Sequence, residues 1–533
     1  MRTSAVFFLT ESGKADSAII KLLLHMKTSF LLLSVFISSL SYGQQYKTTM
    51  SEKLNCSGAV PIKIGNEYFS LGIDSKLKFG IGFKLSKSNY SVKLWKYDNN
   101  MRPLKEAKIA DGDKIYGPFP PMLRKINDKL YLLYYQFFED QQKIIFFSSE
   151  LDQVSLTLGS PHQIMVIDQK NLGASWDLVN MIEHQKLLTA HSPNNTKFLF
   201  VWSSTVDNKI TFSITDNNLK AIRSATEEIK NLKKYELHSA CVDNTGNAYI
   251  TYSYRPDNDD SYPHILINKQ SGNTIDLEIK LPDARPYDVF AGASLSDNNI
   301  WVAGMYKNKT VNLAGVFSFR LNSLDFKLGP AKKTDFPRTL VEQFDNDYYW
   351  ADLKEKRYGL ATSYVINPYS PEDGSFDLVC EFQRVEWSEK HAYNLFGGIL
   401  DIHFTPENKV VFSRIPKLRV IAQNFIGSSY YALPYKDRVV ILYNDHKDNL
   451  GQQIDKKPKR SDNYSNSVLV AATMNANGIV KREILVDQSK EDYLAVIERA
   501  QVLSSTQLLI PFRRIKSLGA VTEDLKWVVL TIQ

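Results

Sequence analysis

Short runs of apolar and aromatic residues recur along this chain, and clusters of Asn, Asp, Gly, Ser and Lys separate them. Runs of roughly four to eight residues between turn-forming clusters are typical of β-strands joined as hairpins. The pattern therefore predicts a repeated strand-turn-strand unit. The clearest predicted pairs are 130–138 with 143–147, 198–203 with 210–214, 248–254 with 265–268, 300–305 with 315–321, 358–366 with 376–382, 439–443 with 468–474, and 508–512 with 527–531.

The spacing of the turns indicates an architecture. Asn195, Gly246 and Asn298 follow one another at about 50 residues, the length of one four-stranded propeller blade. A strand pair alone cannot bury both of its faces, so stacking such sheets around an axis satisfies each of them. We predict an all-β chain that forms a single β-propeller of about six to eight four-stranded blades. Two β-sandwich domains are the alternative.

Helical patterns are few. Segments 226–234 and 493–501 are short candidates for amphipathic helices, and neither alternates regularly with strands as a βαβ fold requires.

A propeller needs its first and last sheets joined, and segment 526–531 is apolar enough for a buried strand. We expect residues 55–75 to pack in the same sheet as 508–531 or in an adjacent one.

The N-terminus has the pattern of a secretory signal. Met26 and Lys27 precede an apolar run, 30–40, and a small residue, Gly43, precedes Gln44. We predict that residues 1–43 are a signal peptide, with the true start at Met26, and that 44–533 is the exported domain, periplasmic or extracellular. No later apolar stretch is long enough to span a bilayer, so we expect no integral membrane segment after signal removal.

Composition narrows the range of partners. The chain is 43% hydrophobic and 12% aromatic, with 28 Tyr and 28 Phe, which favours strands. Its net charge of +7 is spread along 533 residues, so we expect no nucleic-acid partner. The one dense basic run lies between two predicted strands and is interpreted as a solvated loop, or alternatively as a contact for an anionic surface. It comprises Lys456, Lys457, Lys459 and Arg460.

The three cysteines are Cys56, Cys241 and Cys380, too far apart for a metal pair or a disulfide framework. Each is interpreted as a small buried apolar residue.

Catalytic signatures are missing from the sequence. The strings 173–177 and 292–296 lack the final glycine of a Gly-x-Ser-x-Gly elbow, and neither a His-Glu-x-x-His motif nor a phosphate-binding glycine loop is present. Asp257, Asp259 and Asp260 are the candidate Ca²⁺ ligands, because alternating acids in a loop supply hard oxygen ligands; a solvated hairpin tip is the alternative. Two further groups have the same ambiguity, namely Asp345, Asp347 and Asp352, and Asp445, His446 and Asp448.

Several short segments carry a family resemblance. Residues 242–249, Val-Asp-Asn-Thr-Gly-Asn-Ala-Tyr, are similar to the core of bacterial β-propeller repeats, and 296–304 resembles a degenerate copy. Segments 397–400, 413–417 and 441–449 resemble exported Bacteroidota proteins with propeller-type repeats. This resemblance implies the fold and export, and no activity, because propellers carry many unrelated functions.

Together these observations favour a non-catalytic binding or scaffold protein of the cell envelope, with a protein or glycan as its partner. The alternative is a carbohydrate-active hydrolase or lyase whose acidic residues meet in a central cleft. The arrangement of Asp and Glu around the centre discriminates between them.

Overall fold

The computed structural model describes residues 46–50, 61–76, 89–99, 101–110, 121–138, 140–141, 143–168, 185–204, 209–229, 235–255, 261–308, 312–348, 350–354, 358–387, 392–422, 430–436, 438–450, 456–461, 466–474, 478, 480–490, 493–504, 506–515 and 521–532. The predicted signal peptide, Cys56 and the three candidate Ca²⁺ ligands Asp257, Asp259 and Asp260 lie outside these ranges. By its internal contacts the chain divides into a large unit, Thr48–Leu530, and a small one that comprises Met1–Lys47 and Thr531–Gln533.

The described residues form eight sheets, which we number along the chain. The first strand, β1 (Tyr46–Met50), belongs to the last of them. Sheets 1 to 4 each contain four strands in sequence order, so every connection is a hairpin. They are sheet 1 with β2 (Ile62–Ile64), β3 (Glu67–Lys76), β4 (Asn89–Tyr97) and β5 (Pro103–Ala110); sheet 2 with β6 (Met122–Ile126), β7 (Lys129–Phe138), β8 (Lys143–Leu151) and β9 (His162–Asp168); sheet 3 with β10 (Gln185–His191), β11 (Lys197–Ser204), β12 (Lys209–Asp216) and β13 (Ala221–Glu228); and sheet 4 with β14 (Tyr235–Val242), β15 (Ala248–Tyr254), β16 (Tyr262–Asn268) and β17 (Thr274–Glu278).

Sheets 5 to 8 are less regular. Sheet 5 has seven strands, sheet 6 has six, and helix α1 (Arg338–Tyr348) lies between two strands of sheet 5 in the chain. Their strands are, for sheet 5, β18 (Arg285–Pro286), β19 (Phe290–Ala293), β20 (Asn299–Lys307), β21 (Leu313–Asn322), β22 (Lys332–Asp335), β23 (Ala351–Asp352) and β24 (Gly359–Leu360); for sheet 6, β25 (Tyr364–Tyr369), β26 (Phe376–Trp387), β27 (Ala392–Phe404), β28 (Val410–Ile415), β29 (Leu418–Ala422) and β32 (Arg460–Ser461); for sheet 7, β30 (Tyr430–Tyr435), β31 (Arg438–His446), β33 (Ser467–Met474) and β34 (Val480–Asp487); and for sheet 8, β1 with β35 (Tyr493–Ala495), β36 (Gln501–Ser504), β37 (Gln507–Ile515) and β38 (Val521–Ile532).

Each sheet packs on the next through apolar side chains, and the order closes on itself. Trp527 of sheet 8 shares a cluster with Tyr68 of sheet 1, and Asn444 of sheet 7 donates to the Ala495 carbonyl of sheet 8 at 3.0 Å. The other contacts join Leu71 to Leu132, Phe146 to Phe200, Ile214 to Ile250, Ile265 to Val302, Trp301 to Phe376, and Val379 to Ile441, each within one buried cluster. The large unit is therefore a single β-propeller in the predicted range of six to eight blades, and two sandwich domains do not describe it.

The predicted closure is confirmed by the same contacts, because β3 lies in the sheet adjacent to β37 and β38. In sheets 1 to 4, 6 and 7 the first strand is the innermost one, and in sheet 5 it is β19; β1 lies instead at an edge of sheet 8. Contacts between β2 and β6, between β10 and β14, between β14 and β19, and between β19 and β25 show this. The inner strands surround the propeller axis.

Three predictions of local structure are wrong. Residues 226–228 belong to strand β13, the outer strand of sheet 3, where the polar side chains alternate in exposure rather than forming a helical face. Segment 493–501 contains β35, a short 3₁₀ helix (Ile497–Arg499) and the start of β36. The predicted strand 358–366 is divided between β24 and β25.

Helix α1 was not predicted. It buries Leu340, Val341 and Phe344 in the cluster that sheets 5 and 6 share, so tertiary packing stabilises a helix of only 11 residues.

The expectation for two of the cysteines is confirmed, since Cys241 and Cys380 are free and buried. No helix in the described ranges is long and apolar enough to cross a membrane.

Candidate binding site in the central channel

Arg124 lies on β6, the inner strand of sheet 2. Each inner strand ends at a hairpin turn, and the last paired residues are Ile126 in sheet 2 and His191 in sheet 3. Arg124 and Thr189 each lie two residues before that point, so they occupy equivalent positions in neighbouring sheets. The Arg124 guanidinium donates a hydrogen bond to Thr189 Oγ1 at 3.2 Å.

Tyr431 faces the same guanidinium from another sheet. It lies on β30, the first strand of sheet 7, and its phenol interacts electrostatically with Arg124. Sheets 2 and 7 are not neighbours in the ring, so the two side chains approach one another across the axis. The Arg124 side chain is exposed, yet burial lowers the pKa of its guanidinium, an effect that Tyr431 opposes. Both observations fit a group that reaches solvent inside a channel enclosed by protein.

The described groups that interact with Arg124 are neutral. Within the described ranges, no carboxylate forms an ion pair with it; its neighbours are the hydroxyl of Thr189 and the phenol of Tyr431. The adjacent Lys125 differs, because its ammonium lies 3.7 Å from Asp128 Oδ1. Among the side chains that the structure describes here, Arg124 thus presents an accessible cation beside neutral hydroxyl groups.

Tyr431 is held by the packing of its strand. The neighbouring Tyr430 hydroxyl donates to the Val379 carbonyl at 2.8 Å and accepts from Asn367 Nδ2 at 2.8 Å. These bonds join the inner strand of sheet 7 to sheet 6, because Asn367 lies on β25 and Val379 on β26. Burial raises the pKa of Tyr431, and the Arg124 charge acts in the opposite direction, so the phenol stays neutral at physiological pH.

The acidic groups of the inner strands form a second cluster, near the starts of these strands. Glu236 of β14 pairs with Arg255 at 3.0 Å. Asp288, just before β19, accepts hydrogen bonds from the Tyr364 hydroxyl and from the Met305 amide, the latter at 3.0 Å. Burial raises the pKa of Asp288 to about 6, although these bonds and Arg255 oppose the shift. The cluster holds two carboxylates, and each already has a partner.

The other acids singled out in the sequence do not converge on one site. Asp347 is buried and forms a bidentate contact with Arg414, while Asp345 and Asp352 are half-buried. Asp445 is buried and accepts from Asn449, whereas Asp448 pairs at the surface with Lys459. In the part of the chain that the structure describes, no three His, Cys, Asp or Glu side chains are placed to hold a metal ion.

The segments that carried the family resemblance have structural roles. Gly397 and Gly398 lie against α1, where a Cβ atom at either would come within 3 Å of Trp350 or Phe344. Arg414 reaches Asp347 of the same helix, and Lys417 pairs with Glu381 at 2.5 Å with both side chains fully buried. In segment 242–249, Asp243 closes the hairpin turn of sheet 4. These residues hold the propeller together rather than lining its channel.

Sequence reasoning missed Arg124, Thr189 and Tyr431. The three lie far apart in the chain on strands that were not among the predicted pairs, namely β6, β10 and β30, and only the ring brings them to one axis. A usable signal was present in β6, where an arginine interrupts an apolar strand, Met-Leu-Arg-Lys-Ile. An arginine in an inner strand is expensive to bury, so it indicates a place that solvent or a ligand reaches.

Comparisons with known proteins assign no family. No protein-family model matches the chain, and no curated protein matches it. Among solved structures, the β-propeller domain of the Trilobed protease from Pyrococcus furiosus is 10% identical, covers 84% of this chain and 97% of its own, and has a TM-score of 0.34. A protein of unknown function from Dyadobacter fermentans is 12% identical over 66% of this chain and 95% of its own, with a TM-score of 0.28. The Dos1 propeller is 9% identical over 74% of this chain and 92% of its own, with a TM-score of 0.30. Similarity at this level says nothing about activity.

Proposed function

We propose that this protein is an exported, non-catalytic β-propeller of the cell envelope that binds a protein or a glycan at its central channel. The observation that carries the proposal is the contrast between the two clusters of the inner strands. Arg124 is accessible and has no carboxylate partner among the described residues, whereas Glu236 and Asp288 are both engaged. A free cation offers a contact for a ligand, and engaged acids offer no obvious base.

The alternative is a carbohydrate-active hydrolase or lyase. One observation favours it: burial raises the pKa of Asp288 to about 6, a value suited to a general acid, and the charge of Glu236 acts on it. If the protein is such an enzyme, the ion pair between Arg255 and Glu236 must break when substrate binds, so that the Glu236 carboxylate is free to act. The two functions are therefore separable by experiment.

The test uses the chain from Gln44 onward, immobilised and exposed to protein and glycan fractions from the envelope of the native host. We expect one fraction to bind and to be recovered with unchanged length and end groups. Recovery of shortened glycan with new reducing or unsaturated ends, and the loss of these products in Glu236→Gln, would instead establish the enzyme.

Export is tested separately. We expect N-terminal sequencing of the protein from its native host to begin at Gln44, in a periplasmic or extracellular fraction. An intact Met1 or Met26 in a cytosolic fraction contradicts this part of the proposal without touching the binding site.

A further inference from the structure

We infer that the channel site recognises one carboxylate of an acidic sugar, held by Arg124 with Thr189 and Tyr431 beside it. This inference rests on the proposed binding function and specifies its ligand. A guanidinium presents a planar fork of N–H donors that matches a carboxylate in a bidentate contact. Arg124 uses one donor for Thr189 Oγ1 at 3.2 Å and is exposed to the channel.

The charge of the site favours a carboxylate over a phosphate. Among the described side chains, Arg124 supplies the positive charge at this position, and the adjacent Lys125 is engaged by Asp128. A single guanidinium balances a single negative charge, whereas a phosphate monoester carries nearly two at neutral pH. The neutral hydroxyls of Thr189 and Tyr431 add hydrogen-bonding capacity without adding charge.

The side chain across the channel from Arg124 suits a sugar ring. Tyr431 presents an aromatic ring with a polar tip on the opposite side of the channel, a combination that contacts both the C–H face and the hydroxyls of a sugar.

A peptide carboxylate is the competing occupant. The neutral, hydroxyl-bearing surroundings favour the sugar, because a polyhydroxylated ring uses many such donors and acceptors.

The experiment measures binding of an oligogalacturonate by isothermal titration calorimetry to three proteins, the wild type, Arg124→Gln and Lys125→Gln. Lys125→Gln is the matched control, since it removes the same charge one residue away on the same strand. We expect Arg124→Gln to weaken binding by about tenfold to a hundredfold, the effect of losing a charged hydrogen-bonded contact, and Lys125→Gln to change it less than about twofold. The fully methyl-esterified oligomer has the same rings without the charge, and it should bind the wild type and Arg124→Gln equally.

Thermal unfolding of all three proteins checks that each is folded, and Arg124→Lys provides a second variant that keeps the charge and loses the fork. Equal binding of oligogalacturonate by the wild type and Arg124→Gln overturns the inference, as does no binding by the wild type. A tetrapeptide gives a further outcome. If the peptide with a free C-terminal carboxylate binds the wild type but not Arg124→Gln, and neither the same peptide with an amidated C-terminus nor the oligogalacturonate binds, the inference is overturned and the ligand is a peptide. The proposed function is judged separately. If an envelope fraction binds and is recovered uncleaved, the proposed function stands even when the inference about the carboxylate fails. If the protein cleaves the oligogalacturonate, the proposed function is refuted even when Arg124 binds that oligomer.

Discussion

Sheet 4 and sheet 6 make blades of the same ring in different ways. Sheet 4 is a run of four antiparallel strands, and its hairpin turn is built by one residue, Asp243. Sheet 6 has six strands, and one of them, β32, pairs in parallel with β29 after the chain has already formed β30 and β31 of sheet 7. Local turns organise the first sheet, and contacts between distant residues organise the second.

The interiors of the two sheets differ accordingly. Six of the seven residues of β15 are buried, and five of the seven are apolar or aromatic. Sheet 6 buries charge, including Glu381 with Lys417, and Asp377 with His403 at 2.8 Å. A buried ion pair loses its hydration, so its attraction must first offset that cost. The comparison shows that the order of apolar runs and polar turns specifies the regular sheet 4, whereas pairs of buried charged residues that are distant in the chain specify the irregular sheet 6.

The largest effect is expected in sheet 6, from Lys417→Met. Burial raises the pKa of Glu381 and lowers that of Lys417, and each partner opposes the shift of the other. Removing the ammonium leaves a buried carboxylate without its partner, which costs about 3 to 5 kcal/mol in the free energy of unfolding. Urea denaturation measures it. The double variant Glu381→Leu with Lys417→Met should recover most of the loss; a double variant as unstable as the single one would contradict this account.

In sheet 4 the sensitive position is the turn. Asp243 Oδ1 accepts from the amides of Gly246 at 2.7 Å and Asn247 at 2.8 Å, and its Oδ2 accepts from the Tyr249 hydroxyl at 3.0 Å. Asp243→Ala removes the carboxylate that accepts from the Asn247 amide and the Tyr249 hydroxyl, and it leaves the Gly246 amide only the Asp243 carbonyl at 3.1 Å, so we expect a loss of about 2 to 3 kcal/mol on urea denaturation. The exposed Asp297, which plays a smaller part in the corresponding turn of sheet 5, is the control: Asp297→Ala should cost less. Equal losses would break the assignment of the turn as the organising feature.

Sheet 5 lies between these two sheets in the ring, and the buried Asp288 that precedes its strand β19 predicts a pH dependence. Burial raises the pKa of Asp288 to about 6 in the folded protein, above its usual value. The folded state therefore holds this proton more tightly than the unfolded chain, so the contribution of Asp288 to stability is complete near pH 4 and is lost as the pH rises through about 6. We expect the stability of Asp288→Asn relative to the wild type to rise by about 2 kcal/mol between pH 4 and pH 7. A parallel pair of stability curves would show that Asp288 does not titrate in this range.

The smallest effect belongs to a surface pair in a regular sheet. Lys93 and Glu106 lie 3.1 Å apart on β4 and β5 of sheet 1, and both are exposed. Because solvent screens such a pair, Lys93→Met should change the free energy of unfolding by less than about 1 kcal/mol. Urea denaturation of Lys93→Met and Lys417→Met under the same conditions compares the two losses in the free energy of unfolding. A similar loss in both variants would contradict the distinction between buried and surface charge pairs.

Sequence patterns predicted the regular part of this fold. The pairs 198–203 with 210–214 and 248–254 with 265–268 lie within β11 with β12 and β15 with β16, because short apolar runs and the polar turns between them are local properties. Helix α1 was missed, because its apolar residues are few and its stability comes from packing under β27 and Trp350. Arg124, Thr189 and Tyr431 were missed for a similar reason, since their proximity depends on the closure of the ring.

The contact between Tyr68 and Trp527 has a consequence for the order of synthesis. The strands of sheet 1 emerge from the ribosome before those of sheets 2 to 7, and their partners β37 and β38 in sheet 8 emerge almost last. Until then Tyr68, Tyr97 and Met101 have no apolar surface from sheet 8 to cover them. The nascent chain thus exposes an apolar surface on sheet 1 for most of its translation. During that period the chain is most prone to aggregate and has the greatest need of a chaperone.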